Sequence, residues 1–119
     1  MTVFGIAHVQ VGITAGGEEE ARGFYGELLG LRELEKPESL RDRGGAWFQC
    51  GMQEIHCGVE AEVAPTRRHP ALLVAGLNEL KAKLDEAGIR TEVDRQLPGY
   101  RRFYALDPFG NRLEFLERE

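Results

Sequence analysis

Two halves of this chain repeat each other, and residues able to bind metal fall at matching places in both. The first half has His8 near its start and His56 near its end; the second has His69 and Glu114. Between them each half carries a helix-like stretch that closes on the same signal, Leu29-Gly30-Leu31-Arg32 in one and Ala87-Gly88-Ile89-Arg90 in the other. A unit of this size rarely buries enough surface to stand alone, so duplicated modules must pack together or across a dimer. A repeat bounded by imidazole or carboxylate suggests a symmetric cup with a metal at its centre.

The period of the apolar residues predicts an α+β architecture, strand–helix–strand–strand–strand in each half. In module 1, about residues 1–60, Ile6 to Ile13 reads as a strand and Glu18 to Leu29 as a helix. Leu31 to Glu35 reads as a short strand and Arg41 to Gly45 as a turn. Ala46 to Cys50 and Glu54 to Val59 read as a hairpin. Glu60 to Arg68 is polar and reads as the linker. In module 2, about residues 67–119, the order returns. Pro70 to Ala75 is a strand, Leu77 to Ala87 a helix and Ile89 to Val93 a strand. Arg101 to Leu106 and Arg112 to Leu116 pair around Asp107-Pro108-Phe109-Gly110-Asn111. The 119 residues therefore make a single domain of two modules.

Composition narrows the function. The formal charge is −5 with acids and bases interspersed, so no basic stripe argues for nucleic acid. No apolar run reaches the length of a membrane span, and the first residues do not read as a signal peptide. Cys50 and Cys57 form neither a disulfide framework nor a CxxC metal pattern, which fits a cytoplasmic protein with free thiols.

Strand alternation puts His8, His56 and Glu114 on the face opposite their apolar neighbours, which suit a helix-covered side. His69 opens its strand just before Pro70, so its direction is less constrained. Imidazole and carboxylate are the expected donors for divalent Zn, Ni, Co, Mn or Fe. Four such groups converging without a cation would repel one another or sit unsatisfied. Taken singly, each has another reading: a hydrogen-bonded histidine, a solvated His69, or a Glu114 paired with Arg112 or a neighbouring strand's arginine. Gln10 shares the His8 face and could hydrogen-bond a substrate oxygen. Arginines cluster in matching hairpin loops, Arg41 and Arg43 in one and Arg95, Arg101 and Arg102 in the other. Arg101 and Arg102 are the candidates for holding an anionic small-molecule substrate; solvated turn residues are the alternative. Trp47, Phe48, Tyr100, Phe103 and Tyr104 could wall a pocket, although alternation assigns about half of them to the core. Cys57 should face the helices.

The runs Ile6-Ala7-His8-Val9, Phe24-Tyr25-Gly26-Glu27-Leu28-Leu29-Gly30-Leu31, His69-Pro70-Ala71-Leu72-Leu73-Val74 and Asp107-Pro108-Phe109-Gly110-Asn111-Arg112-Leu113-Glu114 resemble the vicinal oxygen chelate superfamily across essentially the whole chain. That group includes glyoxalase I, fosfomycin-resistance proteins, methylmalonyl-CoA epimerase, extradiol dioxygenases and bleomycin-resistance proteins. The resemblance implies paired βαβββ modules forming an incomplete barrel around a central site. It implies a divalent metal held by His8, His56, His69 and Glu114. His56 departs from the pattern, since the bacterial glyoxalase I position holds glutamate and the epimerase position glutamine. The implied activity is a metal-dependent lyase or isomerase acting on a small carbonyl or hydroxy compound. Glu114 would serve as ligand and as proton carrier. A thiol transferase of the fosfomycin type, a non-haem Fe(II) dioxygenase using His8, His69 and Glu114, and a metal-free drug-binding protein are the competing classes. A homodimer is expected from the size of the modules.

Overall fold

A computed structural model describes all residues, Met1–Glu119. The chain divides into two compact units, Met1–Val63 and Ala64–Glu119, and the boundary falls inside the polar stretch read as a linker.

Unit 1 contains β1 (His8–Ile13), α1 (Glu18–Ala21), β2 (Arg32–Leu34), β3 (Ala46–Cys50) and β4 (Gln53–Val59). Unit 2 contains β5 (Ala71–Leu73), α2 (Leu77–Glu86), β6 (Thr91–Glu92), β7 (Tyr100–Leu106) and β8 (Arg112–Arg118). Each unit has one four-stranded mixed sheet, ordered β1-β4-β3-β2 and β5-β8-β7-β6. The first strand of each unit pairs in parallel with the last, and the remaining pairs are antiparallel. The α+β class and the βαβββ order of both modules are as the sequence predicts. No helix is long and apolar enough to cross a membrane.

Alternation sets the two faces of each sheet. In unit 1, Ile13, Phe48, Ile55 and Cys57 are fully buried with the helical residues Phe24 and Tyr25. Tyr25 meets Phe24 edge-on at 4.9 Å and Phe48 at 5.7 Å. In unit 2, Leu113, Phe103 and Phe115 are buried with Leu77 and Leu84 of α2, and the rings of Phe103 and Phe115 lie 5.3 Å apart. The helix stripe at Leu77 and Leu84 therefore fills the same place as Phe24 and Tyr25.

Three local features differ from the expectation. The first helix starts with one α-helical turn and widens into a π-helix over Arg22–Leu28, where Leu29 N–H donates to the Phe24 carbonyl. Gly23 and Gly26 lie in this stretch and lower the helical preference of the segment. The loop expected as a turn at Arg41 to Gly45 begins earlier, as a 3-10 helix over Glu38–Arg43. Pro37 presets its entry, the Pro37 carbonyl accepts from Leu40 N–H, and Glu38 and Arg41 suit the two ends of its dipole. The strand over Pro70 to Ala75 shortens to Ala71–Leu73, although Pro70 still offers its carbonyl to Glu114 N–H.

The turn between β7 and β8 is built on one buried carboxylate. Asp107 Oδ1 accepts from Phe109 N–H at 2.9 Å and Asn111 N–H at 2.8 Å, and Oδ2 accepts from the Asn111 amide at 2.8 Å. That turn fixes the register Tyr104↔Glu114, which orients the inner carboxylate.

Candidate metal centre

In unit 1 a single row across the sheet, Leu34, Trp47, His56 and Gln10, is in register on one face. His56 is buried between two rings. Trp47 stacks on it at 3.8 Å and 2°, and His8 stacks at 4.0 Å and 14° from the other side. His56 Nε2 donates to Glu54 Oε1 at 2.8 Å, which leaves its Nδ1 as the lone-pair nitrogen. The ring is thus gripped on both faces, and the carboxylate fixes its orientation and tautomer. His8 lies exposed at the start of β1. The Gln10 side chain lies over Gly58, where an added Cβ would come within 2.5 Å of its amide nitrogen. Gln10 and Trp47 line a cavity of about 200 Å³ with Lys36 and Arg43.

The matching row of unit 2 reads Glu92, Tyr104, Glu114 and Ala71. Glu114 is buried, and each of its oxygens has a partner. His69 Nε2 lies 2.9 Å from Oε1, and Arg102 donates to Oε2 at 3.2 Å. Burial by itself would raise the Glu114 pKa. The hydrogen bonds and charges of His69 and Arg102 outweigh it and hold the carboxyl below its ordinary value. Glu114 is therefore ionised at neutral pH.

The His69 ring carries the clearest chemical information. Its Nδ1 faces the Arg67 carbonyl at 2.9 Å and must donate to it, because a carbonyl only accepts. In a neutral ring Nε2 then presents a lone pair to a carboxylate oxygen. The contact therefore needs a positive centre between the two atoms: the second ring proton, which is the state in which His69 lowers the Glu114 pKa, or a metal cation in its place. The donor set of this pair therefore fits a divalent ion. Within either unit, no third His, Cys, Asp or Glu completes a group able to hold a metal. Each module brings two of the sequence-predicted residues together, His8 with His56 and His69 with Glu114.

The two arginines singled out from the sequence part company. Arg102 shares the Glu114 face; its guanidinium also donates to the Tyr104 hydroxyl at 3.0 Å and to the Arg95 carbonyl. Arg101 is adjacent on β7, points to the opposite face and pairs with Glu117. Arg41 pairs with Glu35 at 2.7 Å. The aromatic set divides as alternation requires: Phe48 and Phe103 are core, whereas Trp47 and Tyr104 lie beside the donors. Sequence reasoning missed Glu54. Its place two residues before His56, on the same strand face, was the available signal.

Residues 5–115 match the family model described as the Glyoxalase/Bleomycin resistance protein/Dioxygenase superfamily. A glyoxalase family protein from Bacillus anthracis has a similar solved structure: TM-score 0.92 and 51% identity, covering 100% of this chain and 98% of that one. Lactoylglutathione lyase from Agrobacterium tumefaciens shares the fold at TM-score 0.75 and 20% identity, over 98% of this chain and 95% of that one. So does the fosfomycin resistance protein FosX from Listeria monocytogenes, at TM-score 0.80 and 14% identity, over 99% and 96%. Among curated proteins, none matches. With the match running through both modules, from before His8 to beyond Glu114, the chain belongs to the glyoxalase/bleomycin resistance protein/dioxygenase superfamily.

Proposed function

We propose that this protein is a metal-dependent lyase or isomerase of the glyoxalase-like type, acting on a small carbonyl or hydroxy compound. The donors are His8 and His56 from one module and His69 and Glu114 from the other. The observation that carries this reading is the His69–Glu114 pair, with Nδ1 committed to a carbonyl and Nε2 facing an ionised carboxylate at 2.9 Å. A divalent ion, Zn²⁺, Ni²⁺, Co²⁺, Mn²⁺ or Fe²⁺, supplies Lewis acidity toward a substrate oxygen when bound.

The chain's own residues do the rest. Trp47 and Glu54 fix the plane and direction of the His56 ring. Arg102 and Tyr104 fix the Glu114 carboxylate. Glu114, with its lowered pKa, is a ligand first; as a base it is weak, and it accepts a proton only from a carbon acidified by an adjacent carbonyl. Gln10, in register with His56, would donate to a substrate oxygen in this reading. Arg102 lies on the same face with its guanidinium committed to Glu114, Tyr104 and the Arg95 carbonyl, and Arg101 pairs with Glu117 on the opposite face. The functional form in this reading is a homodimer of a cytoplasmic, single-domain protein, since modules this small gain core by pairing.

One observation favours a second reading. His56 is enclosed between two rings and bonded to Glu54, as a residue outside the ligand set would be. His8, His69 and Glu114 would then form the two-histidine, one-carboxylate set of a non-haem Fe(II) dioxygenase.

Elemental analysis of chelator-free protein, with His56→Ala and His69→Ala beside it, separates these. About one Zn, Ni, Co or Mn per chain, lost in both variants, supports the lyase or isomerase. Iron kept in His56→Ala and lost in His69→Ala supports the oxygenase. Protein that takes up no metal after incubation with each ion overturns both. Solvent deuterium incorporation next to a carbonyl, followed by NMR, then tests the proton transfer.

A further inference from the structure

A cavity of about 420 Å³ in unit 2 lies on the Glu114 face of the sheet. Arg67, Arg90 and Arg112 line it with Tyr104, Glu92 and Asp94. Three cations face two acids, so the cavity has a positive excess in a chain of net charge −5. None of these three guanidinium groups pairs with a carboxylate, whereas Arg22, Arg41, Arg101 and Arg102 all do. Arg112 is held by another means: its guanidinium lies 4.1 Å from the centre of the Tyr104 ring. Stacking of that kind fixes the plane of the guanidinium while leaving its N–H edge free to donate. Neighbouring sheet positions put Arg90 and Arg112 on either side of Leu106, one through the Leu106 N–H bond to the Arg90 carbonyl and the other through the Leu106↔Arg112 pair.

We propose that Arg67, Arg90 and Arg112 form a binding pocket for an oxyanion group, carboxylate or phosphate, of the substrate. Planar guanidinium edges match both groups through paired hydrogen bonds. The pocket adjoins Glu114 through Tyr104, so an anionic substituent held there leaves a neighbouring carbon and oxygen toward the donors. Glu92 and Asp94 in the same lining oppose a highly charged ligand and favour one compact anion. The proposal rests on the reading of the Glu114 face as the substrate face, and it changes which arginines serve that face: not the hairpin pair Arg101 and Arg102, but three residues distant in sequence.

The test uses the full chain, stripped of metal by chelator, titrated with inorganic phosphate and separately with malonate. Binding is followed by calorimetry and by the Arg Nε–Hε signals in NMR. Saturable binding of either anion is expected. Arg90→Gln and Arg112→Gln should each weaken it at least tenfold, and Arg118→Gln, at the far end of β8, should leave it unchanged. Arg112→Lys keeps the charge but not the planar edge, and should also weaken binding. Preference for one anion identifies the group. Absence of saturation in the parent, or equal weakening by Arg118→Gln, overturns the proposal. Because the titration is done without metal, a failed metal site and a failed anion pocket give separate results.

Discussion

The two modules share a backbone plan to the register and hold their inner donors by different physics. His56 and Glu114 occupy the same place, each opposite an aromatic residue on the neighbouring strand, Trp47 and Tyr104. In module 1 the donor is gripped by ring stacking, with a single carboxylate at its edge. In module 2 it is gripped by charge, with an arginine and a histidine on its two oxygens. A further contrast lies two residues before each aromatic. Module 2 has Arg102 there, reaching Glu114. Module 1 has Gly45, at φ +85°, where any Cβ would sit 2.2 Å from the Cys57 carbonyl oxygen. The two modules keep one frame, and their side chains differ on the sheet face that carries His56 and Glu114.

The cores should be the most alike. Phe48→Ala and Phe103→Ala each remove a buried ring from the core side of a sheet, one residue after Trp47 and one before Tyr104, and each should cost about 4 kcal/mol in urea unfolding. A gap above about 2 kcal/mol would show that the helix-facing cores are not equivalent. Next comes the Gly45 position. Gly45→Ala should destabilise by on the order of 3 kcal/mol, because backbone strain and a backbone clash act together. Arg102→Ala, at its counterpart, should cost less in stability and be felt through Glu114. The donors' supports should differ in kind. Glu54→Gln should weaken metal affinity by roughly 10- to 100-fold, as loss of an orienting carboxylate does. Trp47→Leu should cost about 1 kcal/mol of stacking and leave phosphate binding intact. Tyr104→Leu should release Arg112 and weaken phosphate binding.

Acid should separate the modules most gently. Asp85, Glu114 and Glu117 in module 2 are held below their ordinary pKa, against Glu18 alone in module 1. The leading causes are the Lys81 bond for Asp85, the Gly76 N–H for Glu117 and the Gly45 N–H for Glu18; for Glu114 His69 and Arg102 overcome burial. A depressed carboxyl contributes stability that is fully present above its unfolded value and lost as pH falls through its folded value. Below about pH 4.3, the unfolded glutamate value, amides of β7 and β8 should lose hydrogen-exchange protection before those of β3 and β4. The opposite order would mean that stacking, not charge, is the weaker support.

Much of this was legible in the sequence because it is periodic. Alternation placed His56 and Glu114 opposite the core, and Gly30 and Gly88 marked both helix ends; each has positive φ. Alternation also separates Arg101 from Arg102, but which face carries the donors follows only once Tyr104 is in register with Glu114. The stack of Trp47, His56 and His8 depends on three strands aligned at once, which no local signal carries. The unpaired trio of Arg67, Arg90 and Arg112 lies in a linker, a strand entry and a strand start. Arginines in such places read individually as solvated, and only the sheet brings them to one cavity.

Parallel pairing of each module's first strand with its last has a consequence for synthesis. As the chain leaves the ribosome, β1 has no partner until β4 has followed it, and β5 waits in the same way for β8. The β3–β4 hairpin can form early, because its closure is short, whereas β1 must be recruited across almost the whole module. His8 therefore stands beside His56, and His69 beside Glu114, only once the first strand of the module has paired with its last. Neither pair exists in a half-made module; each is a product of the completed sheet.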